Sequence, residues 1–150
     1  MKIVIQRVSR AGVTIHKNKV AEIEKGLLIF LGIVANDGQE DINFLVRKIA
    51  NLRIFNDERG VMNTSLIDID GAALVVSQFT LQASTNKGNR PSYIKAAKPE
   101  TAIPIYENFV QTLEKEIGKK VQTGEFGADM KVELLNDGPV TIIIDSKNKE

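Results

Sequence analysis

At 150 residues the chain has the length of one domain, enough to bury about two-thirds of its unfolded surface without a covalent staple. It contains no cysteine, which excludes disulfides, thiolate metal sites and a cysteine nucleophile. Twenty basic residues against 19 acidic leave no global bias toward nucleic acid or membrane, so any RNA contact must come from a local patch.

The apolar run before Gln6 and Arg7 is too short for a signal peptide. The most apolar stretch, Leu27 to Val34, falls far below the ~20 residues that span a bilayer. A soluble, cytoplasmic protein with no membrane partner is expected. Residues 2–8 alternate as a strand, and Val13–His16 and Val20–Ile23 flank Lys17-Asn18-Lys19 as a hairpin. Leu27 to Leu31 is continuously apolar, which predicts a strand covered on both faces. Asp37 is expected to cap a helix, with Glu40 as its reciprocal partner, and Ile42, Leu45, Val46, Ile49 and Leu52 form one apolar stripe. Asp57–Gly60 and Asp70-Gly71 read as turns, and Ala73–Leu81 as the clearest later strand. A second helix is expected over about Pro104 to Ile117, with Gly118 as its stop. Met130–Leu135 and Val140–Asp145 read as closing strands separated by Asn136-Asp137-Gly138-Pro139, followed by a polar tail, Ser146 to Glu150, expected to fray. Many strands with two helices suggest a single domain over 1–150, of mixed α/β and α+β character, with layered sheets and both helices on one side.

The residue inventory narrows the chemistry. The only histidine, His16, lies beside a hairpin turn with no nucleophile pattern around it, and reads as an exposed strand end. No Walker sequence and no Gly-x-Gly-x-x-Gly is present, and the acids are scattered over helix faces and turns. No metal and no cofactor is expected. An enzyme built from this inventory would work with hydroxyls, amides, backbone donors and the substrate's own groups, which suits an activated ester.

Three segments bear on function. Ser77-Gln78-Phe79-Thr80-Leu81 is the point where an apolar strand turns polar, where hydroxyls could meet a ligand, although a half-exposed strand end explains it as well. Gly138-Pro139 reads by itself as an ordinary trans turn. Asn86–Lys98 carries Lys87, Arg90, Lys95 and Lys98 with no acid, which is either a solvated loop or a phosphate-binding patch.

In order, Ile5-Gln6-Arg7-Val8, Ser77-Gln78-Phe79-Thr80-Leu81, Gly88-Asn89-Arg90-Pro91-Ser92-Tyr93, Thr123-Gly124-Glu125-Phe126-Gly127-Ala128-Asp129-Met130 and Asn136-Asp137-Gly138-Pro139-Val140-Thr141 resemble the D-aminoacyl-tRNA deacylase family over essentially the whole chain. Tyr93 stands where phenylalanine is usual, and Asn89 where a basic residue is common. The resemblance implies a homodimer with a three-layer β/β/α fold of mostly antiparallel sheets, and hydrolysis of the ester joining a D-amino acid or glycine to the 3′ end of tRNA, with L-aminoacyl-tRNA rejected. It implies that Ser77, Gln78, Phe79 and Thr80 form the catalytic wall. It further implies substrate contacts by Met130 and by a cis Gly138-Pro139 pair, held in part by Arg7, that projects into the partner's pocket at the subunit interface. Lys87, Arg90, Lys95 and Lys98 are then the expected tRNA contacts. Whether Thr80 is a nucleophile or a polar wall stays open. A non-catalytic RNA-binding module is the main rival, and it would need aromatic residues set for base stacking.

Overall fold

The computed structural model describes residues 1–150. Eight strands, two α-helices and one 3-10 turn follow in the order β1 (Lys2–Ile15), β2 (Asn18–Ile23), β3 (Gly26–Gly32), α1 (Gln39–Asn51), β4 (Phe55–Asn56), β5 (Met62–Thr64), β6 (Ala72–Ser77), the 3-10 turn Phe79–Gln82, α2 (Pro99–Ile117), β7 (Gln122–Thr123) and β8 (Lys131–Asp145).

β1 and β8 organise the molecule. β1 is one strand where two were expected, and its two halves have different neighbours. Lys2–Val8 pairs antiparallel with β3, while Ala11–Ile15 pairs antiparallel with β2. β8 is likewise continuous through Asn136–Pro139 and runs antiparallel to both halves of β1, with register shifts near Gln6 to Arg10. Such bulges bend a strand and raise its twist, so one long pair passes from one layer to the next. β3, β6 and β7 run parallel to each other, which gives a mixed sheet in order β2-β1-β3-β6-β7 with β8 against β1.

The alternation of side chains along β3 explains the layers. Leu27, Ile29 and Leu31 face one core, which α1 fills with Ile42, Leu45, Val46 and Ile49 and α2 with Tyr106, Phe109 and Leu113. Leu28 faces a second core made with Val8, Val13, Ile15, Ile23, Leu74 and Val76. A strand buried on both faces must be apolar throughout, as the continuous run at Leu27–Leu31 predicts. The result is two β layers with both helices on one side.

Several boundaries differ from expectation for local reasons. The hairpin turn is His16-Lys17, both at positive φ, and His16 is exposed there. Asp37 does not cap α1. Its buried carboxylate accepts the Met1 ammonium at 2.6 Å and the Val34 amide at 2.8 Å, and Gly38 is the N-cap, with Asp41 rather than Glu40 accepting its amide. α2 begins at Pro99 in its first turn and carries Pro104 within it. The tail does not fray at its start: Ser146 is buried, its amide donates to the Met1 carbonyl, and Lys147 pairs with Asp41 at 2.8 Å. Burial opposes ionisation of Asp41, yet hydrogen bonds from Lys147, Ser146 and the Gly38 amide hold its carboxyl down at about 2.

Candidate active site

β6 leaves the sheet at Ser77, earlier than the expected Leu81, and turns into the 3-10 segment. Gly32, at the end of β3, is the reason this crossing is possible. A Cβ there would lie 2.9 Å from the Leu81 Cβ and 3.0 Å from the Gln78 carbonyl oxygen. The Gln82 side-chain amide then donates to the Gly32 carbonyl at 2.9 Å and fixes the crossing.

Beneath this turn lies a cavity of about 300 Å³. Val76, Ser77, Gln78 and Phe79 form one wall, Leu31, Ile33, Ala97 and Ala102 another, and Phe126, Gly127, Ala128, Asp129, Met130 and Val132 the third. The lining is mainly apolar with few polar groups, the usual composition of a small-molecule site. Ser77, Gln78, Phe79 and Met130 therefore share one lining. Thr80 is not in the lining, but its hydroxyl accepts a hydrogen bond from the Gln78 side-chain amide. Within the 3-10 turn the first backbone bond is from the Leu81 amide to the Gln78 carbonyl. The amides of Phe79 and Thr80 precede it and have no partner in the turn.

Phe126, Gly127, Ala128 and Asp129 lie within the matched text but were not assigned a role, and Leu31, Ile33, Ala97 and Ala102 carried no signal, since only tertiary packing brings them here. Tyr106 supports this wall from behind. Its hydroxyl donates to the Val75 carbonyl at 3.2 Å, its ring meets Phe126 edge-on at 5.7 Å, and burial pushes its phenol up to about 12. Asp129, the one carboxylate in the lining, is paired with Lys131 at 3.0 Å and faces solvent.

Arg7, Gly138 and Pro139 lie outside this cavity's lining and form a second constellation. The Gly138–Pro139 peptide is cis and both residues are exposed. The buried Arg7 guanidinium donates from Nε to the Asp137 carbonyl at 2.9 Å, and from Nη1 to the Ile54 carbonyl at 2.7 Å and Asn56 Oδ1 at 3.3 Å. From the other side, the Asn136 side-chain amide donates to the carbonyls of Arg7 at 2.9 Å and Val140 at 3.0 Å. The corner is thus clamped from both flanks. Sequence reasoning found Arg7 but not Asn136.

Lys87, Arg90, Lys95 and Lys98 are all exposed on the segment that follows the 3-10 turn. That segment is pinned where Ser84 and Ser92 exchange two backbone hydrogen bonds and where the Ala97 amide donates to the Ile33 carbonyl.

A family model described as D-Tyr-tRNA(Tyr) deacylase matches residues 4–145. D-aminoacyl-tRNA deacylases of Flavobacterium psychrophilum and Flavobacterium johnsoniae are 71% and 67% identical to this chain, each over the whole of both sequences. A solved structure described as a c-Myc DNA unwinding element binding protein is 42% identical, with a TM-score of 0.90 over 97% of this chain and 98% of that one. A second, described as a probable eukaryotic D-amino acid tRNA deacylase, is 14% identical with a TM-score of 0.82 over 95% and 97%, a likeness of fold alone.

Proposed function

This chain belongs to the D-Tyr-tRNA(Tyr) deacylase family and hydrolyses D-aminoacyl-tRNA, and from that premise we propose that the ester is cleaved in the cavity under Ser77–Phe79 of a cytoplasmic homodimer. In this reading the main-chain carbonyls of Gly138 and Pro139 enter the partner's cavity and accept the substrate ammonium. The exposure of the corner, its place outside its own chain's cavity and its double clamp support that arrangement. Leu135 and Ile143, both exposed on β8 on either side of the corner, supply apolar surface for a second copy.

Selection by main chain sorts enantiomers without reading the side chain. With ammonium and ester fixed, one enantiomer directs its side chain outward and the other drives it into backbone, so L-aminoacyl-tRNA is excluded. Glycine has nothing to clash, and glycyl-tRNA is a second substrate. Lys87, Arg90, Lys95 and Lys98 meet the RNA phosphates.

Water attacks the ester carbonyl, the amides of Phe79 and Thr80 stabilise the developing oxyanion, and the 3′ oxygen leaves with a proton. The observation that carries the mechanism is the bond from Gln78 to Thr80. A carboxamide donor cannot take a proton, and the lone histidine sits exposed in the His16-Lys17 turn with no hydrogen bond to Thr80, so Thr80 has no base bonded to it. The neighbouring 2′-hydroxyl of the terminal adenosine assists the water instead.

Release of free amino acid from D-Tyr-tRNA and L-Tyr-tRNA tests the chirality, and specific activity followed through dilution tests the shared site. Thr80→Ala should lose less activity than replacing the terminal adenosine with its 2′-deoxy form. A dead Thr80→Ala enzyme that meets a normally cleaved deoxy substrate would make Thr80 the nucleophile.

A further inference from the structure

Six phenylalanines and two tyrosines make up the aromatic content, and of these eight rings only Phe79 and Tyr93 are exposed. They are also in contact, with centroids 5.0 Å apart and planes at 73°. Phe79 lines the cavity, so the pair stands at its rim. Tyr93 is not free to wander: its carbonyl accepts the Ala96 amide, and Ser92 beside it is bridged to Ser84. Ile94, 88% exposed, extends the apolar surface next to the pair.

We propose that Phe79 and Tyr93 form a stacking subsite for the penultimate base of the substrate's RNA 3′ end. This rests on the placement of the ester in the cavity under Ser77–Phe79. A cavity of about 300 Å³ is at the lower end of the small-molecule range and cannot hold more than the terminal nucleoside ester. The next nucleotide must therefore cross the rim, where it meets two fixed aromatic rings. Edge-to-face packing leaves ring faces open, and base stacking on such faces is indifferent to base identity. The charge agrees with this occupant: Lys87, Arg90 and Lys95 flank Tyr93 in the sequence and are exposed, and no acid occurs from Asn86 to Lys98. That composition attracts phosphates and repels a second copy of the same segment.

The test compares D-Tyr-tRNA with D-tyrosyl-adenosine, which lacks the penultimate nucleotide. Tyr93→Ala should raise KM for D-Tyr-tRNA, relative to KM for the adenosine ester, by about 5- to 150-fold, the equivalent of roughly 1–3 kcal/mol per stacked base at 1.4 kcal/mol per tenfold. kcat should change less than twofold, and Tyr93→Phe should restore the wild-type ratio. An abasic penultimate position should cost the wild type the same factor and Tyr93→Ala nothing more. Equal losses on both esters, an unchanged ratio, or a full abasic penalty retained in Tyr93→Ala would each overturn the subsite. A shift of sedimentation from dimer to monomer in Tyr93→Ala would assign the pair to a second copy instead. Wild-type cleavage of D-tyrosyl-adenosine by Gln78→Ala would separately overturn the cavity assignment, and the subsite with it.

Discussion

Arg7→Lys separates the corner's proposed role in catalysis from its role in the fold. The guanidinium is planar and reaches two carbonyls in different directions, Asp137 through Nε and Ile54 through Nη1. A lysine ammonium at the end of a flexible stem can serve one of them and not both. Losing one charge-assisted hydrogen bond, and leaving a buried carbonyl unpaired, costs about 2–3 kcal/mol. The chain should survive this, because the β1–β8 ladder runs on both sides of the corner and small domains hold roughly 5–15 kcal/mol in reserve. Where the loss falls on the Asp137 side, the working geometry becomes some 30- to 150-fold rarer at 1.4 kcal/mol per tenfold. Urea unfolding should therefore show a folded protein weakened by about 2–3 kcal/mol. D-Tyr-tRNA hydrolysis should fall by more than tenfold in kcat/KM. Asn136→Ala attacks the same corner from the other flank, and its combination with Arg7→Lys should be non-additive in activity. Wild-type kcat/KM in an Arg7→Lys protein that is measurably less stable would show that the clamp serves the fold alone.

Three further perturbations test other parts of the molecule. A Cβ at Gly124 would lie 2.4 Å from Met130 Sδ, so the thioether must retreat by about 1 Å to reach ordinary contact at 3.4 Å, and the cavity is the open side. Gly124→Ala should raise KM several-fold at a stability cost of about 1–3 kcal/mol, and adding Met130→Ala should lower that KM again; simply additive losses would refute the clash. Asp41 titrates at about 2 in the fold against 3.8 as its ordinary value, so its contribution is complete above pH 3.8 and lost as pH falls toward 2. The stability gap between wild type and Asp41→Asn should shrink by about 1–2 kcal/mol between pH 5 and pH 2, after discounting for the exposed Lys147, and a constant gap would assign the stabilisation elsewhere. Replacing Lys87, Arg90, Lys95 and Lys98 in turn should raise KM for charged tRNA and flatten its salt dependence by about one counterion each. An unchanged slope in all four would return the segment to solvent.

What was legible in the chain was legible for stated physical reasons. The apolar stripe Ile42–Ile49 placed α1, and the unbroken Leu27–Leu31 run placed a strand between two cores. Both are properties of single elements. Continuity through bends was not legible, because β1 and β8 bend together and the cause of each bend is the other strand. Asp37 and Ser146 were misread for a related reason. Beside a helix and in a polar tail they look like a cap and a frayed end, while their partner is the Met1 ammonium at distances of 2.6 and 3.0 Å. The Ser77–Phe79 wall was singled out by the family pattern, since its polarity alone reads as well as a half-exposed strand end. The facing wall at Ile33, Ala97 and Ala102 was not, because apolar residues of a cavity and of a core look alike until the fold leaves space between them.

The site combines an apolar cavity, one side-chain amide, the hydroxyls of Ser77 and Thr80 and a few free backbone amides. None of these groups transfers protons readily near neutral pH, and the one lining carboxylate is turned to solvent against Lys131. Such a site can raise a rate by positioning and by stabilising charge, and it cannot supply general-base chemistry of its own. The reaction must then be one in which the substrate carries the missing group next to the bond that breaks. An aminoacyl ester on a ribose does so in the proposed mechanism, through the hydroxyl adjacent to the bond that breaks. The same poverty of side-chain chemistry explains why a main-chain corner suits selection. In the proposed arrangement a corner held in place by Arg7 and Asn136 excludes by shape at the α-carbon, where every L-amino acid presents the same obstacle, and no pocket needs to be fitted to any side chain.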